Sequence, residues 1–496
     1  QETSKKRPEQ RNDIYVGENM NTMKFQDLVK GCHGRKIAYT DVEQITADNI
    51  VKVIGDCIGV FNYNKSVIKY LWEYYKGDQP VLYRTKLSNE DITNKIVENH
   101  AYEWVQFKVG QTYGEPIQFV SRKDDEAVNK AVDELNDYLA DANKHEKDIK
   151  AGEWQSATGT SFKAIQIVNG DVPIRVVAPN PLNTFVIYNR SSEEPILAVQ
   201  ELKDENGEWY KLCYTESYEC KIKNSAVVPD TWKLHGFGGI PIVEFPNNHE
   251  RLSDIELVID LLDAINNTQS NRMDGIEQFI QAWYKFVNCE VDEEQFKKMK
   301  MNHALVVKSI NKDNKSDVDV MSQELDQTQT QVSKDDLTDS ALSILGIPNK
   351  QGNTGGDTQG AVELRNGWDF SKSRARLKDP VVKTAEKRLA KVALNVIRIK
   401  KEDLKITLRD FDVQINHSPQ DNMYTKSQTL LQLLQCGIHP LIAIKTVGLW
   451  GDCEKTFNLS KPYLDALWKT ADIINMEEQM AKAQEIVKQM QNKTVA

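Results

Sequence analysis

The stretch SDIELVIDLLDAINNTQSNRMDGIEQFIQAWYKF, residues 253–286, contains no proline and keeps an apolar face along its length. It begins Ser253-Asp-Ile-Glu256, a serine with a glutamate three residues later, the pattern in which two side chains satisfy the first free N–H groups of a helix. Ile255, Val258, Leu262, Ile265, Met273, Ile276, Ile280 and Trp283 follow the helical period, interrupted by a polar patch at 266–271. At 1.5 Å per residue a helix over the whole stretch would be about 50 Å long, more than one small domain needs. A long core helix would give the same pattern, so its surroundings have to decide.

Downstream, strand-like pieces at 284–291, 305–308 and 318–321 enclose a short helix at 292–299, and a helix over 326–345 then returns. This is a small α/β insert between two helices, with too few apolar residues for a large core of its own, so packing against a neighbouring copy is expected. Residues 346–360 read Gly-Ile-Pro-Asn-Lys-Gln-Gly-Asn-Thr-Gly-Gly-Asp-Thr-Gln-Gly, a polar, flexible loop. Without Gly-Lys-Ser/Thr it is not a phosphate-cradling P-loop. A helix over 361–399 follows, which Pro380 should kink by removing a backbone donor.

That helix is basic. Arg365, Lys372, Arg374, Arg376, Lys378, Lys383, Lys387, Arg388, Lys391, Arg398 and Lys400 face only Glu363, Asp369, Asp379 and Glu386. The run reads either as a solvated face or as a belt toward acidic neighbours or nucleic acid. Beyond it, 404–416 alternates like an edge strand, and helices are predicted at 421–435, 440–447 and 462–491.

Upstream, residues 1–38 form a polar arm. A short helix starts at Asp41, and a second, with Val67, Leu71 and Tyr74 on one face, ends at Gly77. Residues 80–84 look extended, and helices are expected over 94–110 and 124–147. From 162 to 243, β-branched runs alternate with turns such as Asn169-Gly170 and Asn206-Gly207, the pattern of an antiparallel sheet.

The chain has 496 residues, room for about three folding units. Its hydrophobic fraction of 40% and charged fraction of 27% are ordinary for a globular protein, and no apolar run approaches the ~20 residues of a membrane span. The first residues carry basic charge with no apolar segment behind it, so no signal peptide is expected. Seven scattered cysteines without a Cys-x-x-Cys read as reduced thiols. With 73 acidic against 63 basic residues the net charge is −10, unlike a sequence-specific DNA binder, so any DNA here is held weakly. His249-Glu250 in a turn, Asp317 and Asp319 on one strand face, and dispersed histidines such as His100 and His303 fall short of a two-metal site or an acid–base pair. No catalytic residue, metal or cofactor is expected.

Several pieces in a fixed order resemble the portal proteins of tailed double-stranded DNA bacteriophages, of the type found in siphophages of Gram-positive hosts. They are Tyr74-Tyr-Lys-Gly-Asp-Gln-Pro80, Asn94-Lys-Ile-Val-Glu-Asn99, 110–116, Gly239-Ile-Pro-Ile-Val-Glu-Phe-Pro-Asn-Asn248, Asp254-Ile-Glu256, Leu262-Asp-Ala-Ile-Asn266 with Ser270, and Leu345-Gly-Ile-Pro348. They span most of 60–400. The resemblance implies an α+β, multi-domain portal fold: a flexible arm at 1–39, a wing at 40–252, stem helices at 253–283 and 325–345, a small α/β clip at 284–324, a tunnel loop at 346–359, a kinked wing and tunnel helix at 360–400, and a helical crown at 401–496.

It further implies a dodecameric ring at one capsid vertex, through which double-stranded DNA passes without sequence specificity. The implied partners are the terminase motor, head-completion or adaptor proteins, and the major capsid and scaffolding proteins; no membrane is involved. The place is the virion, after assembly in the bacterial cytoplasm. Asn349, Lys350, Gln351, Asn353 and Thr354 would line the channel, and Glu293, Glu294, Lys297 and Lys298 would dock partners on the clip. Two other readings are a metal-dependent phage DNA-processing enzyme and a non-portal virion scaffold protein.

Overall fold

The computed structural model describes residues 33–85, 92–123, 125–280, 283–287, 289–290, 308–309, 317–321, 327–349, 367–400, 404–417, 423–450, 453 and 455–463. After strand β1 (Ala38–Thr40), one helix, α1 (Ile50–Tyr75), replaces the two short ones expected from sequence, and 41–49 is turns and bends. Its halves serve different cores. Ile50, Val53, Ile54, Cys57 and Phe61 pack on a sheet, whereas Val67, Leu71, Tyr74 and Tyr75 enter the main core. Burial along both halves outweighs the weak helix formers Gly55 and Gly59 in the first.

Pro80–Tyr83, expected to be extended, is a turn of 3₁₀-helix with proline in its first turn, where a missing N–H costs nothing. Helix α2 (His100–Tyr113) begins six residues later than the sequence suggests, because the Asn99 side chain caps it by accepting the Tyr102 N–H. Strand β2 (Gln118–Ser121) follows. The single helix expected over 124–147 is two, α3 (Glu126–Asp141) and α4 (Lys144–Thr158), separated by Asn143 in the left-handed region at φ 55°.

The sheet region is antiparallel, as the turn signals indicate, except for one edge. Strands β3 (Thr160–Ile167), β4 (Ile174–Val177), β5 (Thr184–Asn189), β6 (Pro195–Lys203), β7 (Trp209–Tyr214), β8 (Tyr218–Lys223), β9 (Ala226–Val227), β10 (Lys233–Leu234) and β11 (Ile242–Pro246) divide into two sheets. One runs β1-β5-β6-β7-β8-β10 with β9 beside β8, and β1 joins β5 in parallel. The other runs β11-β3-β4.

Helix α5 (Ile259–Ile280) is the long helix of the opening stretch, shortened at both ends. Of the reciprocal bonds their spacing predicts, one forms as expected, the Ser253 N–H donating to Glu256 Oε2 at 2.9 Å, and the other shifts by one residue, Ser253 Oγ accepting the Ile255 rather than the Glu256 N–H at 2.9 Å. Regular helix still starts only at Ile259, and Trp283 already belongs to strand β12 (Trp283–Val287). Twenty-two residues give about 33 Å rather than 50 Å.

Strand β12 pairs antiparallel with β15 (Asp317–Met321), and β13 (Cys289–Glu290) with β14 (Lys308–Ser309). The expected helix at 292–299 lies outside the described residues. Helix α6 (Gln327–Leu345) returns alongside α5.

Pro380 does not kink one helix but opens a new one: α7 (Trp368–Arg376) ends and α8 (Asp379–Lys400) starts with the proline in its first turn. Helix α8 lies across β11 and β3 and buries Val382, Leu389, Val392, Leu394, Val396 and Ile397. Strand β16 (Phe411–Gln414), shorter than the strand expected over 404–416, pairs with β2, and Leu404, Ile406, Phe411 and Val413 enter the main core. Residues 404–415, grouped by sequence with the C-terminal helices, therefore pack with the body of the protein. Helices α9 (Met423–Gln435) and α10 (Pro440–Val447) pack on each other.

Candidate functional site: the long helix and the root of the glycine-rich loop

The polar patch that interrupts α5 is a seam. Asn266, Ser270 and Asp274 stand four residues apart on one helix face, all buried. An extended segment, 94–98, lies along them. Asn266 Oδ1 accepts the Glu98 N–H at 2.8 Å, Ser270 Oγ the Ile96 N–H at 3.0 Å, and Asp274 Oδ1 the Asn94 N–H at 2.6 Å.

The match is geometric: every fourth helical residue advances about 6 Å, and alternate N–H groups of extended chain are spaced about 6.6 Å. Helical side chains thus stand in for a neighbouring strand. The ends of the seam are held as well, by Arg84 on Asp274 at 2.5 Å and Asn271 at 3.0 Å, and by Asn266 Nδ2 donating to Gln79 Oε1 at 2.5 Å. Lys334 of α6 bonds Glu98 at 2.6 Å, so both long helices are tied to the segment.

Deeper in, four charges are buried together. Lys163 of β3 reaches Asp148 and Glu386 at 2.5 Å each, and Lys144 reaches the same two carboxylates at 2.5 and 3.1 Å. Two cations and two anions balance, joining α4, β3 and α8. Burial pushes the Asp148 carboxyl up, but Lys144 and Lys163 outweigh it and hold the group below the usual range. Burial likewise works to lower Lys144, and its two carboxylates reverse the sign and raise it. Nearby, burial opposes the ionised form of Glu244, yet Arg251 at 2.7 Å and the Tyr188 hydroxyl at 2.6 Å hold it below its ordinary value.

Four cations of the basic run of α7 and α8 are engaged within the chain. Lys387 pairs with Asp412 at 2.8 Å and Arg388 with Glu194 at 2.7 Å. Arg398 donates to the Leu404 carbonyl at 3.1 Å and to that of Ile406, and Arg374 to the Ile344 carbonyl at the end of α6. A belt pointing outward as a whole is not what forms. These four brace α7 and α8 against the body of the protein.

A family model described as "Phage portal protein, SPP1 Gp6-like" matches residues 54–437, more than three quarters of the chain. The chain belongs to this portal family. The Portal protein of Bacillus phage SPP1 is 30% identical over 135 residues, 26% of this chain and 25% of that protein, so the matched region spans about a quarter of that relative. Among solved structures, a chain of the neck of an empty gene transfer agent particle has a TM-score of 0.44 at 9% identity, covering 71% of this chain and 90% of that one. A chain of the native gene transfer agent virion has a TM-score of 0.44 at 11% identity, with 77% and 94% covered.

Of the residues singled out by sequence in this portal-family chain, Asn349 is described: its Nδ2 donates to Asp339 Oδ1 of α6 at 2.7 Å. Lys350, Gln351, Asn353 and Thr354, like Glu293, Glu294, Lys297 and Lys298, lie outside the described residues. His100 stacks on Trp104 with ring centroids 5.3 Å apart, and its ring nitrogens stand 3.2 and 3.3 Å from Glu103 and Glu98. Asp317 and Asp319 sit on β15, which pairs with β12. Among the described residues no group of three or more His, Cys, Asp or Glu is placed to hold a metal ion, and no helix is long and apolar enough to cross a membrane. Cys213 and Cys220 oppose each other across β7 and β8 as free thiols. The seam and the buried charge quartet escaped the sequence reading. The one visible trace was the polar interruption at 266–271.

Proposed function

We propose that this chain is the subunit of a portal ring, the conduit at one capsid vertex through which double-stranded DNA enters and leaves. Family membership over 54–437 carries this reading. The order of elements supports it: two long helices side by side, joined at one end by a small paired-strand insert and leading at the other into the glycine-rich segment.

In this reading α5 and α6 form the stem, the insert 284–324 the clip, and 346–359 the loop facing the channel, with α8 and the two sheets in the wing. The pairing of β16 with β2 supports grouping 404–417 with the wing and leaving the crown to the residues after it. The clip would dock the terminase motor and then head-completion proteins, and the wing would meet capsid and scaffolding proteins. Assembly would take place in the bacterial cytoplasm. A net charge of −10 suits a conduit, since every fixed phosphate contact is a barrier to sliding.

The test is direct imaging of the purified full chain together with native mass spectrometry. Closed rings of a single subunit number are expected, twelve by family analogy. A monomer at micromolar concentration, with no ring in proheads, overturns the reading.

A further inference from the structure

The last carbonyls of a helix have no partner inside it. At the end of α6, Gly346 donates to the Ser343 carbonyl at 3.1 Å and Ile347 to that of Leu342 at 2.9 Å, closing the turn. Two cations from other elements also converge there. Arg374 of α7 donates to the Ile344 carbonyl and stands 3.5 Å from that of Ser343, while Lys108 of α2 donates to the Leu345 carbonyl.

The fit around Arg374 is close. Gly346 has φ +66°, and a Cβ there would stand 2.5 Å from Arg374 Cδ. The guanidinium also lies over the Phe370 ring, 5.4 Å from its centroid. Burial and Arg374 both work to lower Lys108, with Asp254 opposing, so the two cations sit together at a cost that the negative end of α6 offsets.

Helix α2 grips the other side of the glycine-rich segment as well. Gln111 donates to Ser371 Oγ of α7 at 2.7 Å, and the Phe107 and Trp368 rings are 6.1 Å apart. Residues 107, 108 and 111 therefore hold the chain at Leu345, before the segment, and at Trp368 and Ser371, after it, and Arg374 links the two directly.

We propose that Lys108 and Arg374 are positioning residues that fix both ends of the glycine-rich segment against α2, and so set where it meets the channel. The second clause rests on the portal reading; the first does not. A purely local cap would stabilise α6 alone, whereas this arrangement couples α6, α7 and α2.

The experiment uses assembled full-length rings carrying Arg374→Met, Arg374→Lys or Lys108→Met, read by hydrogen exchange and by DNA packaging into proheads. For Arg374→Met, whose bonds to α6 are solvent-exposed, peptides covering 343–349 and 368–376 should exchange about two- to fivefold faster, while sheet peptides stay as in wild type. Arg374→Lys should restore part of the protection, and Lys108→Met should loosen 343–349. If Arg374→Met unfolds the subunit, the Arg374→Lys comparison carries the same test. Unchanged exchange at both ends in Arg374→Met and Lys108→Met overturns the proposal whatever packaging does. Faster exchange with normal packaging keeps the positioning role and removes the channel placement.

Discussion

Ser270 Oγ accepts the Ile96 N–H at 3.0 Å and lies 3.3 Å from the Ile96 carbonyl, to which it donates, so one hydroxyl satisfies both backbone groups of a residue 174 positions away. It is the middle rung of the seam on α5 and is fully buried. Replacing Ser270 by Ala leaves an N–H and a carbonyl without partners and should lower stability by about 1–3 kcal/mol in denaturant unfolding. Ser270→Thr, which keeps the hydroxyl, should cost less unless its added methyl cannot be accommodated. Wild-type stability in Ser270→Ala would show that water can replace the rung.

The buried quartet predicts non-additivity. Lys163→Met leaves Asp148 and Glu386 sharing Lys144, a net buried charge, and should cost about 3–5 kcal/mol. Adding Glu386→Leu restores balance by leaving the Lys144–Asp148 pair. The double variant should therefore be more stable than Lys163→Met alone, read as a positive coupling in a double-mutant cycle. Additive losses would mean that the four groups do not act as a unit.

The quartet and the neighbouring Glu244–Arg251 pair set a pH dependence. Asp148 and Glu244 are held below their ordinary values against the opposing effect of burial, so the stability they confer is present above the unfolded carboxylate range, about 4, and is lost as pH falls through their lower folded values. Lys144 is raised, so its contribution is complete below the unfolded lysine value, about 10.4, and is lost only as pH rises past the folded one. Unfolding free energy should thus be insensitive to these groups between about pH 5 and 9. The gap between wild type and Asp148→Asn should narrow as pH drops below 4, and a gap that stays constant down to pH 2 would contradict the assignment.

What the sequence carried was the order of elements; what it missed were the places where distant chain decides local form. Residues 94–98 have helical spacing into Ala101 and Trp104, yet their N–H groups are drawn out by Asn266, Ser270 and Asp274, which no local window contains. Asn143 ended a helix by adopting φ 55°, a choice open to many asparagines and taken by few. Nothing in the local sequence marks Lys144 and Lys163 as buried, since only the fold supplies the carboxylates that let them be so. The resembling pieces include Gln79, Asn94, Asn99, Asn266 and Ser270, and these are residues the seam brings together.

The insert 284–324 offers a test of partner docking. Strands β12 and β15 pair antiparallel, so the chain enters and leaves the insert side by side, and a short linker can replace it without touching the residues of the seam or the quartet. On the portal reading it is the docking surface, with Glu293, Glu294, Lys297 and Lys298 offering a mixed charge pattern to partners. Replacing the insert by a short Gly/Ser linker should leave wing-mediated association and the thermal unfolding of the body intact, and should abolish capture of the packaging motor and of head-completion proteins in pull-downs. Reversing the four charges should weaken both interactions, more so at low salt than at high salt, because exposed charges are screened beyond about 8–10 Å at physiological ionic strength. Unchanged binding of both partners to the linker variant would move the docking site elsewhere on the ring, and loss of the folded body would show that the insert is part of the subunit's core.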